Sequence, residues 1–265
     1  MAQNSLSISC CRLTAFIFFA LVCGTASIQA QLGLLSNRSQ APQAKSQVEL
    51  DLYLKISTDT TSQNVLKDVD DLVSQFPKSD LLGVAYQYQM HAFEDLGNFE
   101  GMVEAGQKAL LANPDNINTL LTLAPAIANH VTRGTDSAKL LGQAEGYARR
   151  VLIVVNEIKP PRQIPLEQWE TTKQGMQSRA HEVLGVVAID RNQPVIASDE
   201  FKTAIGLAPT PEGSQYFRLG IACSSAGERS SAKKYLLQAV ELGPESVRQL
   251  AQKELRRLEE KGTSN

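Results

Sequence analysis

Residues 178–209 read SRAHEVLGVVAIDRNQPVIASDEFKTAIGLAP, and residues 213–244 repeat the pattern 35 positions later. A bulky residue, a Leu-Gly pair, small residues, an apolar residue and a closing proline recur in one order. They are His181, Leu184, Gly185, Ala188, Ala197, Phe201, Ala204 and Pro209, then Tyr216, Leu219, Gly220, Cys223, Ala232, Leu236, Ala239 and Pro244. Spacings of three and four residues place apolar positions on one helix face, and proline ends a helix because it lacks an N–H. The repeat therefore predicts a stacked array of amphipathic helices.

The repeated pattern resembles the tetratricopeptide repeat, a helix pair with a period of about 34 residues. The resemblance implies an all-α fold, a right-handed solenoid of antiparallel helix pairs. The clearest repeats are residues 83–114, 178–209 and 213–244, although Gln-Met replaces the Leu-Gly pair in the first. Gly185 and Ala197 are small residues, and we expect the two helices of one unit to cross there because a larger side chain would hold the backbones apart.

Residues 47–265 as a whole are predicted to form the helical repeat domain. Its weaker units are residues 48–56 with 65–76, and residues 118–131 with 138–158 around a turn at residues 134–136. Pro165 is expected at the first position of a helix that continues into the repeat 178–209. The charge-rich residues 245–261 are predicted to be a capping helix, which a solenoid needs to cover its last unit. Its apolar face would carry Val247, Leu250, Leu255 and Leu258.

The N-terminus is predicted to be a cleavable export signal. Arg12 precedes an apolar run, Leu13 to Val22, and a stretch of small and polar residues ends at Ala30. The run is short for a membrane-spanning helix, which needs about 20 apolar residues. We expect residues 1–30 to be the signal peptide and residues 31–46 a flexible linker, in a protein of the bacterial periplasm. An uncleaved segment that anchors the chain in a membrane is the alternative.

Charge and cysteine content restrict the partners and the covalent structure. The chain has 26 Lys and Arg residues against 28 Asp and Glu residues, a balance that does not favour nucleic acid. Export also argues against nucleic acid as a partner. Three of the four cysteines lie in the predicted signal, so Cys223 alone remains after cleavage and cannot form an internal disulfide. Cys223 is expected to be a buried packing residue.

No motif for catalysis, cofactor binding or metal binding is complete. His181-Glu182 begins like a zinc-protease helix, but Gly185 stands where the second histidine is needed. Residues 101–108 are superficially like a phosphate-binding loop, yet Gln107 occupies the lysine position and the segment is expected to be helical. We therefore predict a protein without enzymatic activity. A periplasmic hydrolase is the alternative from another class.

The resemblance also implies that the first helices of successive units line a concave groove, which receives a peptide or a partner helix. Carrying the register across gives nine candidate partner-binding residues, which we expect to be exposed in the groove: Gln87, His91, Glu94, Arg179, Glu182, Ile189, Phe217, Ile221 and Ser224. The early part of this groove is polar, and the late part offers Phe217 and Ile221 for an apolar contact. The alternative is that these two residues pack beneath the helix 245–261.

Members of the family that dock onto chaperones clamp a C-terminal carboxylate with several Lys and Asn residues. Only Arg179 is basic at the matching positions, so that specific activity is not expected here. The sequence thus predicts a non-catalytic interaction scaffold of the cell envelope, with a protein or peptide as its partner. An assembly factor for envelope or outer-membrane proteins is the alternative, because Phe76-Pro77-Lys78-Ser79 resembles early repeats of outer-membrane assembly proteins.

Overall fold

The computed structural model describes residues 42–131 and 137–263. Within those ranges it contains eleven α-helices and no strand. The helices are α1 (Gln47–Thr58), α2 (Ser62–Gln75), α3 (Leu82–Asp95), α4 (Phe99–Ala112), α5 (Ile117–His130), α6 (Ser137–Glu157), α7 (Leu166–Asp190), α8 (Pro194–Leu207), α9 (Gly213–Ser225), α10 (Arg229–Leu242) and α11 (Glu245–Thr263). The predicted signal, the linker as far as residue 41 and the turn at residues 134–136 lie outside the described residues.

Consecutive helices pack as antiparallel pairs along the chain. The pairs are α1 with α2, α3 with α4, α5 with α6, α7 with α8, and α9 with α10, while α11 packs on the last pair. First helices also contact one another between units, since α1 touches α3, α5 touches α7 and α9 touches α11. The described residues therefore form an all-α solenoid, which confirms the predicted fold class.

The turn inside a helix pair has the same backbone conformation in three units. Gly97, Asn192 and Gly227 occupy equivalent positions, with φ angles of 67°, 58° and 82°. In each turn the N–H of the next residue donates to a carbonyl five positions earlier, at 2.8 to 2.9 Å. Glycine adopts this left-handed conformation freely, and asparagine tolerates it better than most other residues. Asn192 therefore takes the place that glycine has in the other two turns.

Glycine occurs where the two helices of a pair cross. A Cβ atom added to Gly185 would lie 2.6 Å from the ring of Phe201, and one added to Gly220 would lie 2.7 Å from Leu236. Both distances are far shorter than van der Waals contact. Ala197 is fully buried at the same crossing. These small residues are therefore required by packing, as their spacing in the sequence indicates.

The apolar core runs along the array as three successive clusters. The first joins α1, α2 and α3 around Val69 and Leu72. The second, the central cluster, joins α3 to α7 around Leu123 and Trp169. The third, the C-terminal cluster, joins α7 to α11 around Leu236. Each unit thus buries its apolar surface against its neighbours, which is how a solenoid is stabilised.

Helix α7 connects the irregular middle of the array to its regular C-terminal part. It is one continuous helix of 25 residues. Trp169, in its first half, is buried in the central cluster, and its second half is the first helix of the repeat 178–209. Pro165 is the N-cap residue of α7, so it lies one position before the first helical residue, where it was expected.

Helix α11 covers the C-terminal end of the array. Ala251 and Leu258 are buried in the C-terminal cluster, whereas Leu250, which was also assigned to the apolar face, is 50% exposed. The guanidinium of Arg229, at the start of α10, donates to the carbonyl of Leu258. Of the helices that the structure describes, none is both long enough and apolar enough to cross a bilayer.

Candidate partner-binding surface

Of the three candidate residues on α3, two are exposed and one is buried. His91 Nδ1 and Glu94 Oε2 lie 3.0 Å apart at the surface. Gln87 is only 7% exposed, and its Nε2 donates to Asn116 Oδ1 at 2.7 Å and to Thr119 Oγ1 at 3.2 Å. The expected exposure of Gln87 is therefore wrong. Its buried amide needs hydrogen-bond partners, and it finds them at the start of α5.

The candidates on α7 differ in exposure. Arg179 is exposed, while Glu182 and Ile189 are half-buried. Ile189 packs against the C-terminal cluster. Arg179 extends towards the preceding unit, where its Nη2 donates to the carbonyl oxygen of Leu121 at 3.3 Å. Arg179 therefore links the surfaces of α7 and α5.

The candidates on α9, Phe217, Ile221 and Ser224, are all half-buried. Phe217 packs against the C-terminal cluster, which also contains Ala251 and Leu258 of α11. Helix α9 is in contact with α11. The aromatic ring thus contributes to packing while part of its surface remains open to solvent.

A proline inside α5 creates the acceptor that Arg179 uses. Pro125 lies in the second half of this helix. Because proline has no N–H, the carbonyl of Leu121, four residues earlier, lacks its usual helical donor. The guanidinium of Arg179 supplies a donor in its place.

A second arginine reaches α5 from α9. Arg218 Nη2 lies 3.5 Å from Oδ1 of Asn129, and Nδ2 of Asn129 donates to the carbonyl of Pro125 at 2.8 Å. We name Arg179, Arg218, Leu121, Pro125 and Asn129 the arginine patch. Arg218, Pro125 and Asn129 were missed by the reasoning from sequence. A proline within a helical pattern was a visible signal, but Arg218 and Asn129 are 89 positions apart and only the stacking of units brings them together.

Both arginines of the patch have uncharged partners. Arg179 binds a backbone carbonyl, Arg218 binds a side-chain amide, and neither forms an ion pair with a described residue. Helix α5 itself contains no Asp, Glu, Lys or Arg. In contrast, Arg149 and Arg191 both bind Glu145, and they lower the pKa of that carboxyl group. The positive charge of the arginine patch is therefore not neutralised by its contacts.

The side chains that could act as a base, a nucleophile or a metal ligand are engaged in structural contacts. His181 Nδ1 lies 2.6 Å from Glu200 Oε2 and joins α7 to α8. Cys223 is fully buried beside Ser198, and burial raises the pKa of its thiol, which favours the unreactive protonated form. Among the residues that the structure describes, no group of three or more His, Cys, Asp and Glu side chains could hold a metal ion.

The last residues of the predicted linker form the cap of α1. The N–H of Glu49 donates to Ser46 Oγ at 3.2 Å, and the N–H of Lys45 donates to Glu49 Oε2 at 2.5 Å. The side chain of Ser79 and this N–H of Lys45 lower the pKa of Glu49. Lys45 Nζ lies 3.2 Å from Asp80 Oδ1. A cavity of about 300 Å³ lies at this cap, between α1 and the α2–α3 loop.

Comparisons with solved structures identify the architecture. The chain is similar to the MamA RS-1 ArsTM double mutant, with 14% identity and a TM-score of 0.54 over 76% of this chain and 96% of that one. It is also similar to PilF of Pseudomonas aeruginosa, with 15% identity and a TM-score of 0.50 over 80% of this chain and 90% of that one. TTC0263, a TPR protein of Thermus thermophilus, has 15% identity and a TM-score of 0.47 over 78% and 97% of the two chains.

The chain has a tetratricopeptide-repeat fold. No protein-family model and no curated protein matches the sequence. At identities this low the tetratricopeptide likeness establishes the fold alone, because one fold supports many tasks.

Proposed function

We propose that the protein is a non-catalytic interaction module that binds a peptide or a helix of a partner protein on the first helices of its array. The observation that carries this proposal is the arginine patch. Arg179 and Arg218 come from different units, meet the same helix α5 and have no acidic partner among the described residues. Charged groups that have no internal partner are available for complementary contacts with another molecule.

The surroundings of the reactive side chains support a non-catalytic role. The thiol of Cys223 is buried, and His181 is engaged by Glu200 across a helix pair. A hydrolase would need a nucleophile and a base that converge in one cleft beside stabilising donors. Turnover of an ester or peptide substrate by the purified protein, lost on mutation of a described residue, would contradict the proposal.

We place this activity in the bacterial periplasm on the basis of the N-terminal sequence. Arg12, the apolar run at residues 13–22 and the small residues before position 31 have the arrangement of a cleavable signal. The membrane would be involved only if that segment stayed attached. Assembly of envelope proteins is a narrower form of the same role, and the identity of the captured partner would distinguish it from general scaffolding.

Site-specific photocrosslinking in the exporting host tests the binding surface. A photoreactive amino acid at Glu182 or Ser224, on first helices, should capture the partner. The same group at Thr203 of α8 or Lys233 of α10, exposed on second helices, is the matched control and should not. Capture only from the second helices, or equally from both sets, would show that the partner binds elsewhere.

A further inference from the structure

We propose that the arginine patch recognises acidic side chains, so that the ligand is an extended peptide segment with carboxylates about four residues apart. This inference rests on the proposed function, because it specifies the chemistry of the partner that binds the first helices. It concerns Arg179 of α7 and Arg218 of α9, whose guanidinium groups both contact α5.

The present hydrogen bonds of the two arginines are long and have neutral acceptors. Arg179 lies 3.3 Å from the carbonyl oxygen of Leu121, and Arg218 lies 3.5 Å from the amide oxygen of Asn129. Guanidinium groups bind carboxylates at about 2.7 to 2.9 Å, often through two donors, and more strongly than they bind neutral oxygens. A carboxylate that reaches the patch would therefore displace these acceptors.

No acid of the described part of the array occupies the patch. Glu182 follows Arg179 by one turn of α7 but does not pair with it, and α5 has no carboxylate. Other arginines in the same region are neutralised, since Arg150 binds Asp115 and Arg191 binds Glu145 at 2.6 Å. The patch differs from Arg150 and Arg191 because its two arginines contact one helix that has no Asp, Glu, Lys or Arg and form no ion pair with a described residue. An acidic group from another chain would supply the missing partner.

The two contact points on α5 determine the spacing of the ligand. Leu121 and Asn129 are eight positions apart, so at a rise of 1.5 Å per residue they are about 12 Å apart along the helix. An extended chain advances about 3.3 to 3.6 Å per residue, so the two arginines match carboxylates roughly four residues apart. A free C-terminus supplies only one main-chain carboxylate and cannot reach both contact points. The inference therefore commits to acidic side chains.

Three labelled peptides of about 12 residues, a length that spans both contacts, test this inference in fluorescence anisotropy with the purified exported protein. The first carries Glu at every fourth position, Leu and Ser between them, and an amidated C-terminus. The second has Gln in place of Glu, and the third is the Gln peptide with a free C-terminal carboxylate. We expect only the Glu peptide to bind, more tightly at about 0.01 M than at about 0.15 M salt, because salt screens the charges.

Variants assign this binding to the patch. Arg179→Gln combined with Arg218→Gln should weaken the affinity for the Glu peptide about tenfold or more. Arg162→Gln combined with Arg256→Gln removes the same charge from exposed positions outside the patch and should have little effect. Arg179→Lys combined with Arg218→Lys keeps the charge and should retain part of the affinity. Melting curves of each variant show that the fold is intact.

The outcomes separate this inference from the proposed function. Equal binding of the Glu and Gln peptides, no binding of any peptide, or the same loss in the control pair would overturn the acidic ligand class. Preferential binding of the free C-terminus would replace it with a chain-end site. If a photoreactive residue at position 182 still captures the partner in the variant with Arg179→Gln and Arg218→Gln, the proposed function is retained and the acidic ligand class is rejected. If the Glu peptide binds through the arginines and no partner is captured at Glu182, the proposed function fails instead.

Discussion

Gly185 and Gly175 lie on the same helix, α7, but only Gly185 is closely packed against a neighbouring side chain. A Cβ at Gly185 would come within 2.6 Å of Phe201, whereas the nearest atom to a Cβ at Gly175 is 3.9 Å away, on Pro209. Gly185→Ala should therefore lower the free energy of unfolding by about 1–3 kcal/mol, the usual effect of overpacking. Gly175→Ala is the matched control and should raise it by up to about 1 kcal/mol, because alanine favours a helix more than glycine does.

Denaturant unfolding followed by circular dichroism measures both substitutions. Equal effects of the two variants would show that the helix crossing does not pass through Gly185, and the alignment of the repeats would then be wrong.

Glu145 of α6 pairs with Arg149 on its own helix and with Arg191, which links it to the end of α7. Arg149 of α6 and Arg191, at the end of α7, lower the pKa of Glu145. A carboxyl group whose pKa is lowered by folding contributes stability above its unfolded pKa, and this contribution is lost as the pH falls through the folded pKa. Glu145→Gln should cost about 1 kcal/mol at neutral pH, after allowance for solvent screening, and should reduce the loss of stability in acid.

Glu104 provides the control for Glu145. Its side chain is 69% exposed and pairs only with Lys108, one turn along the same helix. Glu104→Gln should change the melting temperature less than Glu145→Gln at neutral pH. An unchanged pH profile in Glu145→Gln would mean that the bridge between α6 and α7 does not contribute to stability.

At the scale of elements, the contact of α9 with α11 decides the role of the apolar candidates. Phe217 packs against the cluster that contains Ala251 and Leu258. Phe217→Ser should lower the melting temperature by several degrees, since removal of packed apolar groups costs a few kcal/mol. Ile221→Ser, which removes a half-buried side chain outside that cluster, should have a smaller effect.

Thermal melts and photocrosslinking of the partner should be compared for both of these variants. An unchanged melting temperature in Phe217→Ser together with lost capture would assign the ring to partner binding and not to the fold. A lower melting temperature with capture intact would show that Phe217 supports α11 and does not contact the partner.

The bounds of the elements were largely accessible to sequence reasoning. The sequence predicts a capping helix over residues 245–261, and α11 spans Glu245–Thr263. Such a helix is predictable because its charge and its apolar stripe at helical spacing are local features. Asn192 in the left-handed turn had no such signal, since only its alignment with Gly97 and Gly227 in the structure reveals the role. Gln87 was misplaced because its burial depends on Asn116 and Thr119 of another unit.

For the molecule as a whole, the N-terminal sequence predicts removal of residues 1–30 during export. Mass spectrometry of protein from an exporting host should show a mature chain that starts near Gln31, released with the periplasmic fraction. Replacement of the apolar residues Phe16 and Phe18 by Asp should leave the full chain inside the cell. An intact N-terminus in the membrane pellet would instead support an anchored protein.

The sequence alone determined that this protein is a helical array with glycine at its crossings, because these features depend on spacing within one repeat. It also indicated Arg179 as a surface residue and Cys223 as a buried one. Only the tertiary structure decided that Arg179 and Arg218 both contact α5 and that Gln87 is buried. These contacts join residues from different units, and their geometry depends on how the units stack, which no local pattern encodes.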